Sequence, residues 1–233
     1  MITINPKLNN TVVVYVSTFD KNLVVGDVEP AIRSEFIQRC TDTLTKQQSY
    51  AVWKLLDYAL GDCCGYGVEH FHFTISDTGK WICADGVYFS LTHCNNVVSV
   101  SVCNHAVGVD IEAVASFISH VEDDIFIRRV LTESEQALFQ NVSAEHKAET
   151  LAKIWTQKES IFKAQGSGAF IPKSIDTVGL SGSFCDSDST CIRRQVNEDS
   201  FVQSRMVVFN GERYVLSTAT CVSAKIQLVQ VDI

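Results

Sequence analysis

Three short β-prone runs follow one another with almost no chain between them: Val87 to His93, Val97 to Cys103 and Val107 to Glu112. Asn95-Asn96 and Asn104-His105 fill the gaps, and asparagine tolerates the tight backbone of a hairpin turn. The three runs read as an antiparallel meander, whose apolar face must be covered by helices or by a second sheet. In such a meander the end of the third strand lies beside the first turn. His93, the last residue of the first strand, would then stand near Asp110 and Glu112.

Helical patterns flank the meander. Tyr50, Trp53, Leu56 and Leu60 recur at helical spacing between Thr45 and Leu60, with Gly61 as a stop. Pro30 to Arg39 reads as a shorter helix. Val121 to Gln140 is helical with a restart at Thr132, where Thr132-x-x-Glu135 fits a capping box. Glu145 to Gln165 is a long helix ended by Gly166. Further strands are expected at Thr11–Thr18, His70–Ser76, Ser174–Leu180, Phe201–Phe209, Tyr214–Thr220 and Ile226–Val231, with a loop at Ser181–Ser189. The order strand, helices, strands occurs twice. It predicts an α+β fold, a pseudo-twofold duplication of two similar α+β subdomains, 1–104 and 105–233. The duplication is one of shape, since no internal repeat is visible.

Composition narrows the function. A formal charge of -8 argues against nucleic acid, which is bound by a basic face. The nine cysteines include no CxxC pair and no zinc-ligand spacing, so they read as reduced core residues. Without a basic-then-apolar leader or an apolar run of membrane-spanning length, a cytoplasmic location and no membrane partner are expected. His70-x-His72 lacks a third ligand and fits a half-exposed strand better than a metal site.

Two stretches carry the chemistry. In the run from Val107, the side chains of Val107, Val109 and Ile111 point one way and those of Gly108, Asp110 and Glu112 the other. Two carboxylates on one face repel each other, and a divalent cation removes that cost. Oxygen ligands without cysteine favour Mg²⁺ or Mn²⁺ over Zn²⁺. An exposed edge kept soluble by charge fits the same pattern. In the last long helix Trp155, Glu159 and Lys163 stack along one face, with Lys158 one step round. That row suits a metal or polyphosphate site, and equally a surface ion pair. Upstream, Arg33, Arg39, Lys46 and Lys54 make one helical region basic, either a solvated face or a phosphate cradle.

Together these stretches resemble a known family. Gly108-Val109-Asp110-Ile111-Glu112, followed by Trp155-Thr156-Gln157-Lys158-Glu159-Ser160-Ile161-Phe162-Lys163, resembles the two-part signature of the 4'-phosphopantetheinyl transferases. Gly79-Lys80 and Phe89-Ser90-Leu91-Thr92-His93 resemble a third element, and the likeness runs from about Arg33 to Pro172. Chain length resembles the large monomeric type that activates peptide and polyketide synthetases. Trp81 stands where the family usually has proline, Ser90 and Thr92 replace Asn and Ser, and Cys94 replaces a common serine.

The resemblance implies a site between the two halves, coenzyme A as donor, and a serine of an apo acyl or peptidyl carrier protein as acceptor. It implies Asp110, Glu112 and Glu159 as ligands of Mg²⁺ or Mn²⁺. Glu159, Lys163 and Asp110 would be catalytic, with Glu159 taking the serine proton and Lys163 neutralising the leaving phosphate. Thr92, His93, Lys158, Lys163, Lys80, Arg33, Lys46 and Ser49 would contact coenzyme A. An acidic carrier would land on Arg128, Arg129, Lys147 and Lys153, and a monomer is expected. Two rivals use the same residues: a Mg²⁺-dependent phosphohydrolase of coenzyme A, and a non-catalytic module that binds coenzyme A or a carrier.

Overall fold

The structure is a computed structural model that describes residues 8, 10–77, 79–166, 168–178, 193–197 and 200–232. In chain order the elements are β1 (Thr11–Thr18), α1 (Ala31–Gln38), α2 (Thr43–Cys64), β2 (Phe73–Ile75), β3 (Trp81–Cys83), β4 (Tyr88–Cys94), β5 (Val97–Cys103) and β6 (Val107–Ala113). There follow α3 (Asp124–Val130), α4 (Glu133–Gln140), α5 (Lys147–Gln165), β7 (Arg193–Asn197), β8 (Ser200–Phe209), β9 (Glu212–Thr220) and β10 (Lys225–Gln230). Two compact units result: Met1–Val107 with Ala224–Ile233, and Gly108–Ser223.

In the first unit β1 lies inside a sheet of order β10-β1-β5-β4. It pairs parallel with β10 and antiparallel with β5. Its six central residues are all buried, which suits an unbroken β-branched run rather than an alternating one. α2 starts at Asp42, whose carboxylate accepts the Thr45 N–H at 2.7 Å, and ends at Gly65 with φ 81°. Trp53, Leu55, Leu56, Ala59 and Leu60 of α2 join Val98, Val100 and Val102 of β5 in one apolar core. Each such large side chain contributes roughly 1.5–3 kcal/mol on burial. Trp53 sits among Phe73, Trp81 and Phe89, with ring centroids 5.0, 5.2 and 6.4 Å away.

The second unit holds a sheet of order β6-β9-β8-β7, with α5 packed on β8 and β9. Leu151, Ala152 and Ile154 of α5 meet Leu131, Phe139 and Val215, and farther along Ile161 meets Val202 and Ala219. The fold is α+β, as expected. The two units share a path: a first strand (β1, β6), a long helix (α2, α5), then a hairpin (β4–β5, β8–β9) whose last strand pairs with the first.

Several expectations change. β6 does not complete a meander with β4 and β5; it crosses to the other sheet and pairs with β9. The division falls after Val107 rather than after 104, and the C-terminal strand rejoins the first unit, where β1 offers it a free parallel edge. The histidines of His70-x-His72 do not share a strand face: His70 closes a 3-10 turn beside Glu69, and His72 bonds Asp85. Of the expected strand Ser174–Leu180, Pro172–Ser174 is a 3-10 turn, 175–178 are not strand, and 179–180 lie outside the described residues, as does the loop Ser181–Ser189. β7 was not anticipated.

Lys158 is the largest correction among the side chains. It was expected at a phosphate, yet both it and Glu135 are 0% exposed and their charges meet at 2.7 Å. The Lys158 ammonium also donates to the carbonyls of Pro172 (2.9 Å) and Ile175 (2.6 Å). Glu135 closes the capping box on Thr132 N–H and accepts both the N–H and the hydroxyl of Thr177. Burial pushes the lysine below its ordinary value, and Glu135 pulls it partly back. One step round α5 from Glu159 is therefore the inside of the protein. α4, α5 and the 172–177 segment are locked by this network.

Three stability outcomes follow. Gly108→Ala places a Cβ 1.9 Å from the Ser160 carbonyl and 2.6 Å from the Ala164 nitrogen, both backbone atoms. Overpacking of this kind costs about 1–3 kcal/mol or more, a fall in melting temperature of several degrees by calorimetry; an unchanged melting temperature would mean β6 and α5 do not touch there. Lys158→Met should cost about 3–5 kcal/mol because it strands Glu135 in the interior. Arg128→Ala breaks only the exposed 3.8 Å pair with Asp124 and should cost less than about 1 kcal/mol.

Candidate active site

The second unit builds its site from one strand and one helix. On β6, Val109 and Ile111 turn into the core, so alternation sends Asp110 and Glu112 to the other face. On α5, Glu159 and Lys163 are one turn apart on the same face. Gly108 lets the two elements meet: the space its missing side chain would fill is taken by the α5 backbone and by Lys163 Cβ, 2.9 Å away. From that root the Lys163 ammonium reaches Asp110 Oδ1 at 2.7 Å and Glu159 Oε2 at 3.8 Å.

The electrostatics follow from this crowding. Partial burial alone would pull the Lys163 ammonium down, but Asp110, Glu159 and Glu112 together hold it above the ordinary lysine value. Glu159 is pushed up from the ordinary carboxylate value, first by burial and then by the Asp110 charge, against the pull of Lys163. Three carboxylates thus act on a single cationic point. Lys163 is 27% exposed and Glu159 22%, so the cluster stays open to a ligand, whereas Asp110 at 6% is nearly covered. Among the described residues no three His, Cys, Asp or Glu side chains are gathered closely enough to hold a metal as they stand; the lysine takes the centre.

A strip of half-buried rings borders this face of α5. Trp155 meets Phe126 at 6.1 Å and Phe170 at 5.6 Å, and Phe170 meets Phe162 at 5.2 Å. Phe170 was not singled out from sequence, because it follows a Gly-Ser-Gly stretch that carries no periodicity.

The remaining expected residues belong to the first unit. Thr92 is buried and His93 exposed on β4. Lys80 is half-buried at the entry to β3, and Lys46 half-buried in the first turn of α2. Arg33 and Ser49 do not stand open to a ligand, contrary to expectation. Arg33 is 4% exposed and donates to both the carbonyl and the hydroxyl of Ser49 at 2.9 Å. Its guanidinium lies 4.7 Å from the Trp53 ring, 5.0 Å from Phe36 and 5.3 Å from Trp81. Burial pushes it down to about 10. The pair holds the first unit's aromatic core together. Of the basic residues expected to meet a carrier, Arg128 pairs with Asp124 and Lys147 lies over the Phe139 ring at 5.3 Å.

Comparison with known proteins addresses this same segment. Residues 106–219 match the sequence model of the 4'-phosphopantetheinyl transferase superfamily. The 4'-phosphopantetheinyl transferase gsp of Aneurinibacillus migulanus is 28% identical over 104 residues, covering 45% of this chain and 42% of that protein. A holo-[acyl-carrier-protein] synthase of Oceanobacillus iheyensis is 41% identical over 63 residues, covering 27% of this chain and 53% of that one. A solved holo-(acyl-carrier-protein) synthase of Bacillus anthracis, in complex with CoA (3',5'-ADP), covers 49% of this chain and 94% of its own at 21% identity and a TM-score of 0.32. The chain spans about half the length of the curated relatives it matches. Both halves of the acidic cluster, Asp110 with Glu112 and Glu159 with Lys163, lie inside the segment that is similar to the 4'-phosphopantetheinyl transferase superfamily.

Proposed function

We propose that the protein transfers the 4'-phosphopantetheine group of coenzyme A to a serine of an apo acyl or peptidyl carrier protein, giving holo carrier and adenosine 3',5'-bisphosphate. The observation that carries this reading is the Lys163 ammonium held between Asp110 and Glu159 within the segment the family model matches.

The chemistry suits those groups. The serine oxygen attacks the phosphorus that bears pantetheine, and the bond to the bridging diphosphate oxygen breaks. Negative charge collects on the departing 5'-phosphate, and a fixed ammonium offsets it. Lys163 is that ammonium; its neighbours hold it above the ordinary lysine value, so it keeps its proton throughout the neutral range. Glu159 takes the serine proton, directly or through water. Its raised value brings it closer to neutral pH, where a base works best. Asp110 holds Lys163 in place at 2.7 Å.

Asp110, Glu112 and Glu159 carry hard oxygens of the kind Mg²⁺ or Mn²⁺ prefers, and to hold such an ion they would have to draw together and Lys163 would have to give up the centre it now occupies. When bound, such an ion would spread the charge that builds on the diphosphate oxygens. Thr92, His93, Lys80 and Lys46 of the first unit are the candidates for the donor's phosphate and adenosine end. An acidic carrier would be met by Arg128, Arg129, Lys147 and Lys153. The working form is a monomer of the large type, in the cytoplasm. Among the described residues no helix is long and apolar enough to cross a membrane.

The decisive measurement is the mass of an apo carrier protein after incubation with the protein, coenzyme A and Mg²⁺. A gain of one phosphopantetheine is expected. Breakdown of coenzyme A without that gain would make the protein a phosphohydrolase, and an inert mixture a binding module. Glu159→Gln should slow turnover by about 10²–10⁴-fold while coenzyme A binding persists. Equal loss of both would assign Glu159 to binding alone. In the native enzyme, turnover should fall on acidification with a midpoint above the ordinary carboxylate value of 4.5, since Glu159 is protonated early. Glu159→Gln should abolish that limb.

A further inference from the structure

We propose that a groove in the first unit, between the solvent face of α2 and the chain just after β1, is a binding site for small aromatic carboxylates. It encloses about 390 Å³, within the roughly 300–1,000 Å³ of small-molecule sites. Phe19 and Leu23 form one wall, and Tyr50 and Tyr58 of α2 the other. Three of these four side chains are aromatic, which favours a flat ring as occupant through offset and edge contacts.

The groove is preformed. Gln47 donates its side-chain N–H to the carbonyls of Lys21 (2.9 Å) and Leu23 (3.0 Å), which pins the overlying chain to α2. Phe19 exchanges two bonds with Asn96, at 3.0 and 3.1 Å. On the helix side the Tyr58 ring rests edge-on against Tyr15 at 5.9 Å. Neither wall must be ordered when a ligand enters, so little of the binding energy is lost to entropy.

Charge at the mouth selects the ligand. Lys54 and Asp57 share the α2 face with Tyr50 and Tyr58 and line the groove. They pair at 3.6 Å with side chains 47% and 32% exposed, a long contact that water competes with. Asp57 has a second duty: its other oxygen accepts the Val68 N–H at 2.9 Å, which fixes it to the turn after α2. Lys54 carries no such tie among the described residues. It can swing to a ligand carboxylate at small loss, whereas a ligand cation would have to take Asp57 from Lys54. The site is independent of the proposed transfer, which uses none of these residues.

The test uses 1-naphthoate and its neutral isostere 1-naphthamide, each titrated into the full-length protein and followed by calorimetry. Both should bind saturably, naphthoate the more tightly. Lys54→Gln should weaken naphthoate about tenfold and leave naphthamide within about twofold, as loss of one charge-assisted contact requires. Tyr58→Ala, on a half-exposed ring, should weaken both probes. The proposal is overturned if neither probe saturates below about 10 mM, if Lys54→Gln affects both probes alike, or if Tyr58→Ala affects neither.

Discussion

The contact between β6 and the last turns of α5 is the constraint on which the acidic site depends. A strand and a helix ordinarily stand apart by the length of their side chains. At Gly108 the helix backbone comes down onto the strand, since there is no Cβ in the way. The root of Lys163 then lies against Gly108, and its ammonium comes to rest two residues along the strand, on Asp110. Glu159, one turn earlier, is brought within 3.8 Å of the same ammonium. A glycine on the carboxylate face thus sets the distance between two elements, and through it the meeting of charges from distant parts of the chain.

α5 also shows how position on a helix decides what a lysine does. Lys158 and Lys163 are five residues apart, so they point to different sides. Lys158 enters the interior, where three acceptors hold it and burial lowers its proton affinity. Lys163 stops at the edge, where carboxylates outweigh desolvation and raise its proton affinity. The first is a structural tie, because a buried charge must be fully met and then has nothing left for a ligand. The second keeps access to solvent and can exchange one partner for another. Glu135 and Glu159 make the same contrast from the acidic side.

Much of this was legible in the sequence wherever local pattern decides the outcome. β1 and β5 lie where their β-branched runs place them, and the Thr132 capping box forms with both of its bonds. The alternation of β6 separates core from site as read from Val107 to Glu112. Non-local pairing was harder. Nothing local tells β6 to leave β4 and β5 for β9, because turn chemistry at Asn104-His105 fits a hairpin as well as a crossing. The parallel strand β10 was assigned to the wrong half for the same reason: its partner β1 is at the other end of the chain. Lys158 and Arg33 were misread because a sequence records a charge but not its burial. Each is held by carbonyls or hydroxyls, which no charge pattern advertises.

The shared path of the two units sharpens what distinguishes them. Each lays a long helix against a sheet whose first strand pairs with the last strand of a hairpin. In the first unit that strand is β1, buried along its length and free of glycine and of acidic residues, so α2 meets the sheet through large apolar side chains. Among the described residues of that unit, the one buried charge is Arg33, caged by rings and bonded to Ser49. In the second unit the equivalent strand carries Gly108, Asp110 and Glu112 on one face. There the helix can come close and set its own carboxylate and ammonium against theirs. A similar path gives a sealed aromatic core in one unit and an open cluster of charge in the other, and three residues of the first strand, Gly108, Asp110 and Glu112, mark the difference.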